Sequence, residues 1–230
     1  MASEAEPRKN VLVVDVGGTH VKLKAATGNG ERRVFSSGRR LTAQKAVDGI
    51  QQLAGDLKYD AVTIGIPAPV INGRILHEPH NLGGGWVGFD FAAAFGCPVR
   101  IINDAAMQAL GSYHGGSMLF LGLGTGLGSS MIVDGVVVPM ELAHLPYKKK
   151  TFEEYVGLAG LERLGKKKWR LAVLDVVKRL RAALEPDYVV LGGGNASLLE
   201  KLPDGIETCP NDNAFVGGFR LWDDTKVKQD

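Results

Sequence analysis

The sequence predicts an α/β protein of two similar lobes around a cleft. Apolar runs typical of buried strands occur at residues 11–16, 60–66, 99–103, 117–123 and 187–191. Helical patterns separate several of them, at residues 43–54, 104–114 and 168–184. A series of strand, Gly-Thr turn, strand, Gly turn and strand occurs twice, which indicates two related lobes. We expect these lobes to cover residues 1–110 and 111–230.

Composition narrows the class of protein. A chain of 230 residues, 45% hydrophobic, can form one large or two small domains, and its net charge of +2 does not call for nucleic acid. Cys97 and Cys209 are too few for a disulfide framework or a four-thiolate zinc site, which favours a reducing, cytoplasmic compartment. No stretch reaches the roughly 18 apolar residues of a membrane span, and residues 1–10 lack the apolar segment of a signal peptide.

The first strand delivers the carboxylate of Asp15 into a turn made of Gly17, Gly18 and Thr19. Paired glycines allow backbone N–H groups to approach an anion such as phosphate. A carboxylate would repel that anion unless Mg²⁺ lay between them, so Asp15 is a candidate magnesium anchor acting through water. The alternative is an ordinary Gly-Gly turn.

Two strands follow, at residues 21–26 and 32–37, and residues 27–30 between them carry a strong turn signal, so the sheet should begin as an antiparallel meander. The second unit repeats this plan, with residues 122–128 leading into a strand at 129–133 and a turn at Asp134-Gly135.

The second glycine cluster is not a dinucleotide fingerprint, because Leu127 and Ser129 stand where G-x-G-x-x-G needs glycine, and no Walker-type loop exists in the chain. Two Gly-Thr turns in matching strand contexts predict a phosphate grip from both sides. The second turn contributes Gly124, Thr125 and Gly126, and the alternative is a pair of hairpin turns.

Asp104 follows a strand and begins a helix, which is where open α/β sheets place ligands. It is therefore a candidate general base. The alternative is a helix cap, since Asn103 and Asp104 are both preferred capping residues.

Glu141 and His144 lie three residues apart, close enough to face one ligand in a helix or tight turn. A single Glu-x-x-His beside two prolines does not suit a di-iron bundle. Together with Asn103 the pair suits sugar hydroxyls, and the alternative is a polar surface loop.

A third glycine turn follows the strand at 187–191 and precedes a helical stretch at 196–201. This turn consists of Gly192, Gly193 and Gly194. It is a candidate binding site for an adenine or a ribose, and the alternative is a flexible loop. Basic runs occur at residues 148–150 and 166–168. Such runs are usually solvent-exposed surface, and they would contribute to binding only if the phosphate donor is a long polyanion.

These residues together resemble the ROK family of sugar kinases, within the actin-like ATPase (ribonuclease H-like) fold, and most of all its polyphosphate glucokinase branch. Residues 15–22 are similar to the family's first phosphate loop, which includes Lys22, and residues 121–129 to its second. Asn103 and Asp104 match its catalytic pair. Its sugar-binding positions correspond to Asn81, Asn103, Asp104, Glu141, His144 and Glu153.

Several departures from the family pattern also matter. Many members carry a cysteine-rich zinc motif after the histidine, but residues 145–152 contain no cysteine, so no zinc is expected. Ala143 replaces the usual glycine, and the C-terminal part looks short for a full nucleotide pocket. Residues 1–10 leave no room for the DNA-binding segment of repressor members, so a repressor role is disfavoured.

The resemblance implies a hexose kinase with glucose preferred, in which Asp104 takes the proton and Mg²⁺ assists a donor that is either ATP or polyphosphate. The alternatives are a kinase for another sugar, such as fructose, mannose or an amino sugar, and a sugar-binding sensor without catalysis. The expected partners are the sugar, the donor and a second copy in a homodimer, with no nucleic acid and no membrane.

Overall fold

Strand β1 (Val11–Val16), in which four apolar residues precede Asp15, is the central strand of the sheet in the first of two α/β units. The computed structural model describes residues 9–26, 30–223 and 228–229, and it divides the chain into Met1–Ile102 and Asn103–Asp230. The division falls before Asn103 rather than after residue 110. The reason is that the helix beginning at Asp104 packs against other elements of the second unit.

The first unit contains a five-stranded sheet in the order β3-β2-β1-β4-β7, with β1 antiparallel to β2 and parallel to β4. Its elements are β1 (Val11–Val16), β2 (His20–Ala25), β3 (Arg33–Ser36), α1 (Ala43–Ala54), β4 (Ala61–Ile66), β5 (Val70–Ile71), β6 (Arg74–Ile75), α2 (Phe91–Phe95) and β7 (Val99–Asn103).

Helix α1 has the bounds that the sequence predicts. Its buried side chains recur at helical spacing along one face, at Ala43, Ala46, Val47, Ile50 and Ala54. These side chains join the same apolar core as those of β1 and β4. The hydroxyl of Thr42 accepts the Lys45 amide at 3.3 Å and caps the helix, so its start is defined locally.

The second unit contains a six-stranded sheet in the order β14-β13-β8-β9-β10-β15. Its elements are α3 (Asp104–Ser112), β8 (Ser117–Leu123), β9 (Leu127–Val133), β10 (Val136–Pro139), β11 (Pro146–Tyr147), β12 (Lys150–Thr151), α4 (Phe152–Val156), α5 (Leu158–Leu184), β13 (Tyr188–Gly192), a 3₁₀ turn (Ala196–Leu198), β14 (Ile206–Thr208), α6 (Asn213–Arg220) and β15 (Lys228–Gln229).

The two sheets share one connectivity. Strand β8 is antiparallel to β9 and parallel to β13, just as β1 is antiparallel to β2 and parallel to β4. In each sheet a third strand extends the antiparallel side, β3 in one and β10 in the other. The recurrence in the sequence is therefore a recurrence of topology, and each unit has its glycine turn after its first strand.

Some local expectations differ from the structure. Helix α5 begins at Leu158, ten residues earlier than the pattern suggested, and Gly165 interrupts it with a φ of 72°. The sequence does not predict the first part of this helix, because glycines occur at 157, 160 and 165 and glycine is a poor helix former. The stretch at 196–201 is only the 3₁₀ turn, and α3 ends at Ser112.

Two predicted turns complete the comparison. Asp134 and Gly135 have φ values of 50° and 84°, as a tight hairpin between β9 and β10 requires. The turn predicted at residues 27–30 lies largely outside the described residues, of which only Gly30 belongs to it. Among the residues that the structure describes, no helix has the length and apolar character to cross a membrane.

Candidate active site

The first glycine turn is held by the end of β3. Gly17 donates its amide to the His20 carbonyl at 2.9 Å, and the Ser37 hydroxyl donates to the Gly17 carbonyl at 2.5 Å. The Ser37 amide donates to the Thr19 carbonyl at 2.9 Å. Within the described part of the chain, the amides of Gly18 and Thr19 donate to no other group. Two N–H donors are therefore available to an anion.

Close packing leaves little room for a side chain at the glycines of this turn. A Cβ at Gly17 would lie 3.1 Å from the His20 carbonyl oxygen, and one at Gly18 would lie 3.3 Å from the Cβ of Asn81. Asn81, a predicted sugar-binding residue, therefore lies directly against the predicted phosphate turn. Its side chain is exposed, so its amide is accessible to a ligand.

Asp15 and Lys22 face each other across the β1–β2 ladder. The Lys22 ammonium donates to Asp15 Oδ2 at 3.0 Å, and the two side chains are 32% and 17% exposed. In the described residues, Asp15 Oδ1 has no hydrogen-bond partner. One free carboxylate oxygen beside the predicted phosphate turn fits a water-mediated Mg²⁺, which binds proteins through few carboxylates and keeps several waters. No group of three or more His, Cys, Asp or Glu side chains in the described ranges is arranged to hold a metal ion.

A neighbouring turn carries two arginines that sequence reasoning missed. Leu41 donates its amide to the Gly38 carbonyl at 2.8 Å, which places Arg39 and Arg40 at the corner of a tight turn. A Cβ at Gly38 would lie 4.0 Å from the Gly18 carbonyl oxygen. Both arginines are exposed and have no ion pair with any described residue. The Arg-Arg pair is visible in the sequence, but nothing local connects it with the first glycine turn.

Asn103, and not Asp104, caps helix α3. The Asn103 Oδ1 accepts the amide of Ala106 at 3.1 Å, which is the N-cap geometry. Asp104 is the first helical residue, half-buried, and its Oδ1 accepts the amide of Ala105 at 2.8 Å. The helix start is therefore satisfied without Asp104 as the cap, which weakens the structural alternative for this carboxylate.

Helix α3 is positioned by close contacts on two sides. A Cβ at Gly128 would lie 2.7 Å from the Cβ of Ala105, so glycine there lets the first turn of α3 rest on β9. A Cβ at Gly217 in α6 would come closer than 3.0 Å to the Met107 carbonyl oxygen. Because Asp104 precedes Ala105 directly, these contacts define where its carboxylate lies.

The second glycine turn is tied to the start of α5. Gly124 donates its amide to the Gly126 carbonyl at 3.1 Å. The amide of Leu158 donates to the carbonyls of Gly124 and Thr125 at 3.1 and 3.2 Å. These bonds occupy carbonyl oxygens, and so they orient the peptide groups of the turn. Thr125 is exposed at its tip.

The third glycine turn lies against the second, which the sequence did not indicate. Asn195 donates its Nδ2 to the Gly124 carbonyl at 3.1 Å and its amide to the Leu123 carbonyl at 2.9 Å. A Cβ at Gly193, whose φ is 82°, would lie 2.5 Å from that Leu123 oxygen. Gly194 is exposed with open space around it. The two turns therefore form one continuous surface.

The Glu141–His144 segment is an irregular loop that ends in a turn, and both named side chains are exposed. The buried Ser129 holds this loop from below. Its hydroxyl donates to the Met140 carbonyl at 3.2 Å and accepts the Leu142 amide at 3.1 Å. The sequence does not indicate this role for Ser129, because it depends on contact with a loop eleven residues away.

Glu153 connects the sugar motif with the second glycine turn. Its Oε2 accepts the amide of Leu127 at 3.1 Å, and its own amide donates to the Ala143 carbonyl at 3.0 Å. A Cβ at Gly126 would come closer than 3.0 Å to the same Oε2. The residue predicted to bind sugar is therefore packed against the residues predicted to bind phosphate.

Comparison with solved structures identifies the fold. The structure overlays on inorganic polyphosphate/ATP-glucomannokinase from Arthrobacter sp. strain KM with a TM-score of 0.78 and 24% identity, covering 93% of this chain and 98% of that one. The α/β actin-like ATPase fold of sugar kinases, expected from the sequence, is thereby confirmed. The ROK family profile matches residues 11–139, more than half of the chain. The chain belongs to the ROK family, and the enzyme class that this supports is a sugar kinase.

Two relatives illustrate the range of similarity. A polyphosphate glucokinase of Mycobacterium tuberculosis is 25% identical over 218 residues, which are 86% of this chain and 82% of that protein. The bifunctional enzyme NanE/NanK of Brucella melitensis biotype 1 is 28% identical over 152 residues, 59% of this chain. The chain aligns with only 29% of that longer protein.

Proposed function

We propose that the protein is a hexose kinase that transfers a phosphoryl group from ATP or inorganic polyphosphate to a sugar hydroxyl, with glucose converted to glucose 6-phosphate. One observation carries the proposal. Within the second unit, Glu153 is bonded to the strand that follows Gly126, and Asp104 precedes the residue that rests on the same strand. The residues proposed as base, phosphate turn and sugar-binding carboxylate thus occur side by side in the sequence of contacts along this strand.

In this proposal Asp104 accepts the proton of the attacking hydroxyl. The carboxylate lies in the first turn of α3, and the contacts of Ala105 and Met107 hold that helix on both sides. Phosphoryl transfer has a loose transition state, so a kinase contributes mainly alignment and charge stabilisation. A base on a firmly packed helix suits that requirement.

The sugar is held by side chains that are accessible and complementary to hydroxyl groups. Carboxylates accept hydrogen bonds, amides donate and accept, and an imidazole does either according to its tautomer. The residues proposed to contact the sugar are Asn81, Asn103, Asp104, Glu141, His144 and Glu153. Glu153 has one oxygen on the Leu127 amide, and we assign its other oxygen to the sugar.

The donor is proposed to lie on the two Gly-Thr turns. In the first turn, the amides of Gly18 and Thr19 and the ammonium of Lys22 supply donors and positive charge. Mg²⁺, when bound near Asp15, would offset the negative charge of the phosphates. The carboxylate of Asp15, already paired with Lys22, then repels the donor less than an isolated carboxylate would.

The identity of the donor is open between two chemistries, each with its own support. Exposed lysines at residues 148–150 and 166–168 and the polyphosphate glucokinase relative favour polyphosphate. One of these lysines, Lys150, is already engaged with Glu154 at 2.7 Å. The contact of Asn195 with Gly124 favours a nucleotide, since it adds the open Gly194 to the surface beside the phosphate turn.

A sugar panel with ATP and polyphosphate in parallel, each at two salt concentrations, tests the proposal. We expect glucose 6-phosphate with at least one donor, and a steep loss of polyphosphate activity with salt if several lysines hold the chain. Formation of sugar phosphate only from mannose, fructose or an amino sugar would replace glucose. Calorimetric sugar binding without turnover by either donor would support the sensor instead. A cytoplasmic location and a homodimer stay predictions.

A further inference from the structure

The predicted sugar motif leads directly into a very short hairpin. Strand β11 begins two residues after His144, and β12 ends two residues before Glu153. The hairpin has only two residue pairs, Pro146 with Thr151 and Tyr147 with Lys150. A two-stranded hairpin of this size is not stable alone, so contacts with the rest of the unit must fix its position.

Tyr147 provides such a contact with α5. Its side chain is 3% exposed, and its hydroxyl donates to Asp175 Oδ2 at 2.6 Å. Its ring lies 5.5 Å from that of Phe152 and meets that of Tyr155 edge to face at 4.9 Å. A buried ring with a charge-assisted hydrogen bond is a strong and directional anchor.

The groups around the hydrogen bond between Tyr147 and Asp175 keep the phenol as its donor and the carboxylate as its acceptor. The Tyr147 hydroxyl, and then Arg179 at 3.2 Å, lower the pKa of the Asp175 carboxyl, whereas burial raises the pKa of Tyr147. The ammonium of Lys148 lies 4.9 Å from the Tyr147 ring centre and 5.5 Å from that of Tyr155. At neutral pH the phenol is protonated and the carboxylate is ionised.

The hairpin transmits this anchoring to both sides of the sugar motif. Phe152 donates its amide to the Leu145 carbonyl at 3.0 Å, and Glu153 donates its amide to the Ala143 carbonyl at 3.0 Å. The segment containing His144 and the start of α4 are therefore paired with each other. A displacement of the hairpin would move His144 and Glu153 together.

We propose that Tyr147 and Asp175 are positioning residues, which set the sugar motif through the hairpin without touching the substrate. The part that concerns the sugar depends on the function proposed above. The part that concerns how firmly residues 143–153 are held in one conformation does not depend on that function, since it follows from the hydrogen bonds and ring contacts alone.

The test compares Tyr147→Phe with Tyr155→Phe. The first removes the hydrogen bond to Asp175 and keeps the ring, while the second removes a hydroxyl without a hydrogen-bond partner in the described residues. We expect Tyr147→Phe to raise KM for glucose about tenfold, the scale of one charge-assisted hydrogen bond. In Tyr147→Phe, kcat and the KM for the donor should stay near the wild-type values. In Tyr155→Phe, all kinetic constants should stay near the wild-type values. Asp175→Asn, which keeps a carbonyl acceptor for Tyr147, should show a smaller rise.

Hydrogen exchange in the substrate-free protein provides a readout that needs no activity. Faster exchange at residues 143–153 in Tyr147→Phe, but not in Tyr155→Phe, supports the anchor even if the wild type phosphorylates no sugar, in which case only the proposed function fails. An active enzyme with unchanged glucose KM and unchanged exchange in Tyr147→Phe overturns the inference. If Tyr147→Phe does not fold, the same two measurements on Asp175→Asn decide in the same way.

Discussion

Replacing Gly126 by alanine should damage sugar binding through Glu153. The new Cβ would come closer than 3.0 Å to Glu153 Oε2, whereas ordinary contact begins near 3.4 Å. The carboxylate must retreat, and its 3.1 Å bond to the Leu127 amide is already at the long end of the usual range. A bond of this kind contributes about 1.5–3 kcal/mol, so we expect kcat/KM for glucose to fall by about 10- to 150-fold.

Steady-state kinetics with glucose and donor varied separately measure this effect. Gly124→Ala is the matched control, because a Cβ there has no atom within 4 Å in the free protein and leaves Glu153 in place. It should leave the KM for glucose unchanged. Glu153→Gln, which keeps an acceptor for the Leu127 amide, should lose less activity than a variant without any acceptor. An unchanged KM for glucose in Gly126→Ala, with Glu153 displaced in its crystal structure, would refute the sugar-binding role of this carboxylate.

Three further changes test other parts of the proposed site. Asp104→Asn should lower kcat by about 10²–10⁴ while calorimetry still detects glucose binding, and an unchanged rate would remove Asp104 as the base. Replacing Arg39 and Arg40 together by alanine should raise KM for polyphosphate by about three- to tenfold at low salt and less at high salt, with KM for glucose as the internal control. Gly217→Ala should destabilise the protein by about 1–3 kcal/mol in urea unfolding, because its Cβ would collide with the Met107 carbonyl, and a stability equal to that of wild type would contradict this packing.

The parts of the fold that the sequence predicts well are those encoded within a few residues. Helix α1 has a single apolar face and a threonine cap, so its bounds follow from periodicity alone. The hairpin at Asp134 and Gly135 follows from turn chemistry. The recurrence of strand and glycine turn predicts the shared connectivity of the two sheets, because it repeats the same local signals in the same order.

The arrangement of the site depends on contacts that no local pattern records. The bond between Glu153 and Leu127 joins residues 26 apart, and that between Asn195 and Gly124 joins residues 71 apart. The glycines of these turns are equally uninformative about distant contacts. A glycine in the sequence indicates a turn, but it does not show which neighbouring atoms leave no room for a Cβ. Asn103 and Asp104 both suit a cap by residue type, and only the geometry assigns that role to Asn103.

The two glycine turns occupy equivalent places in the two sheets but are supported differently. The first is held by Ser37 at the end of β3, within the meander that forms it. The second is held by Leu158 and by Glu153, which belong to the helical segment following the sugar motif. A sugar hydroxyl bound by Glu153, as proposed, would therefore act on the second turn through the bond between Glu153 and the Leu127 amide. If the protein has the proposed function, this bond would couple the position of the sugar to the second glycine turn.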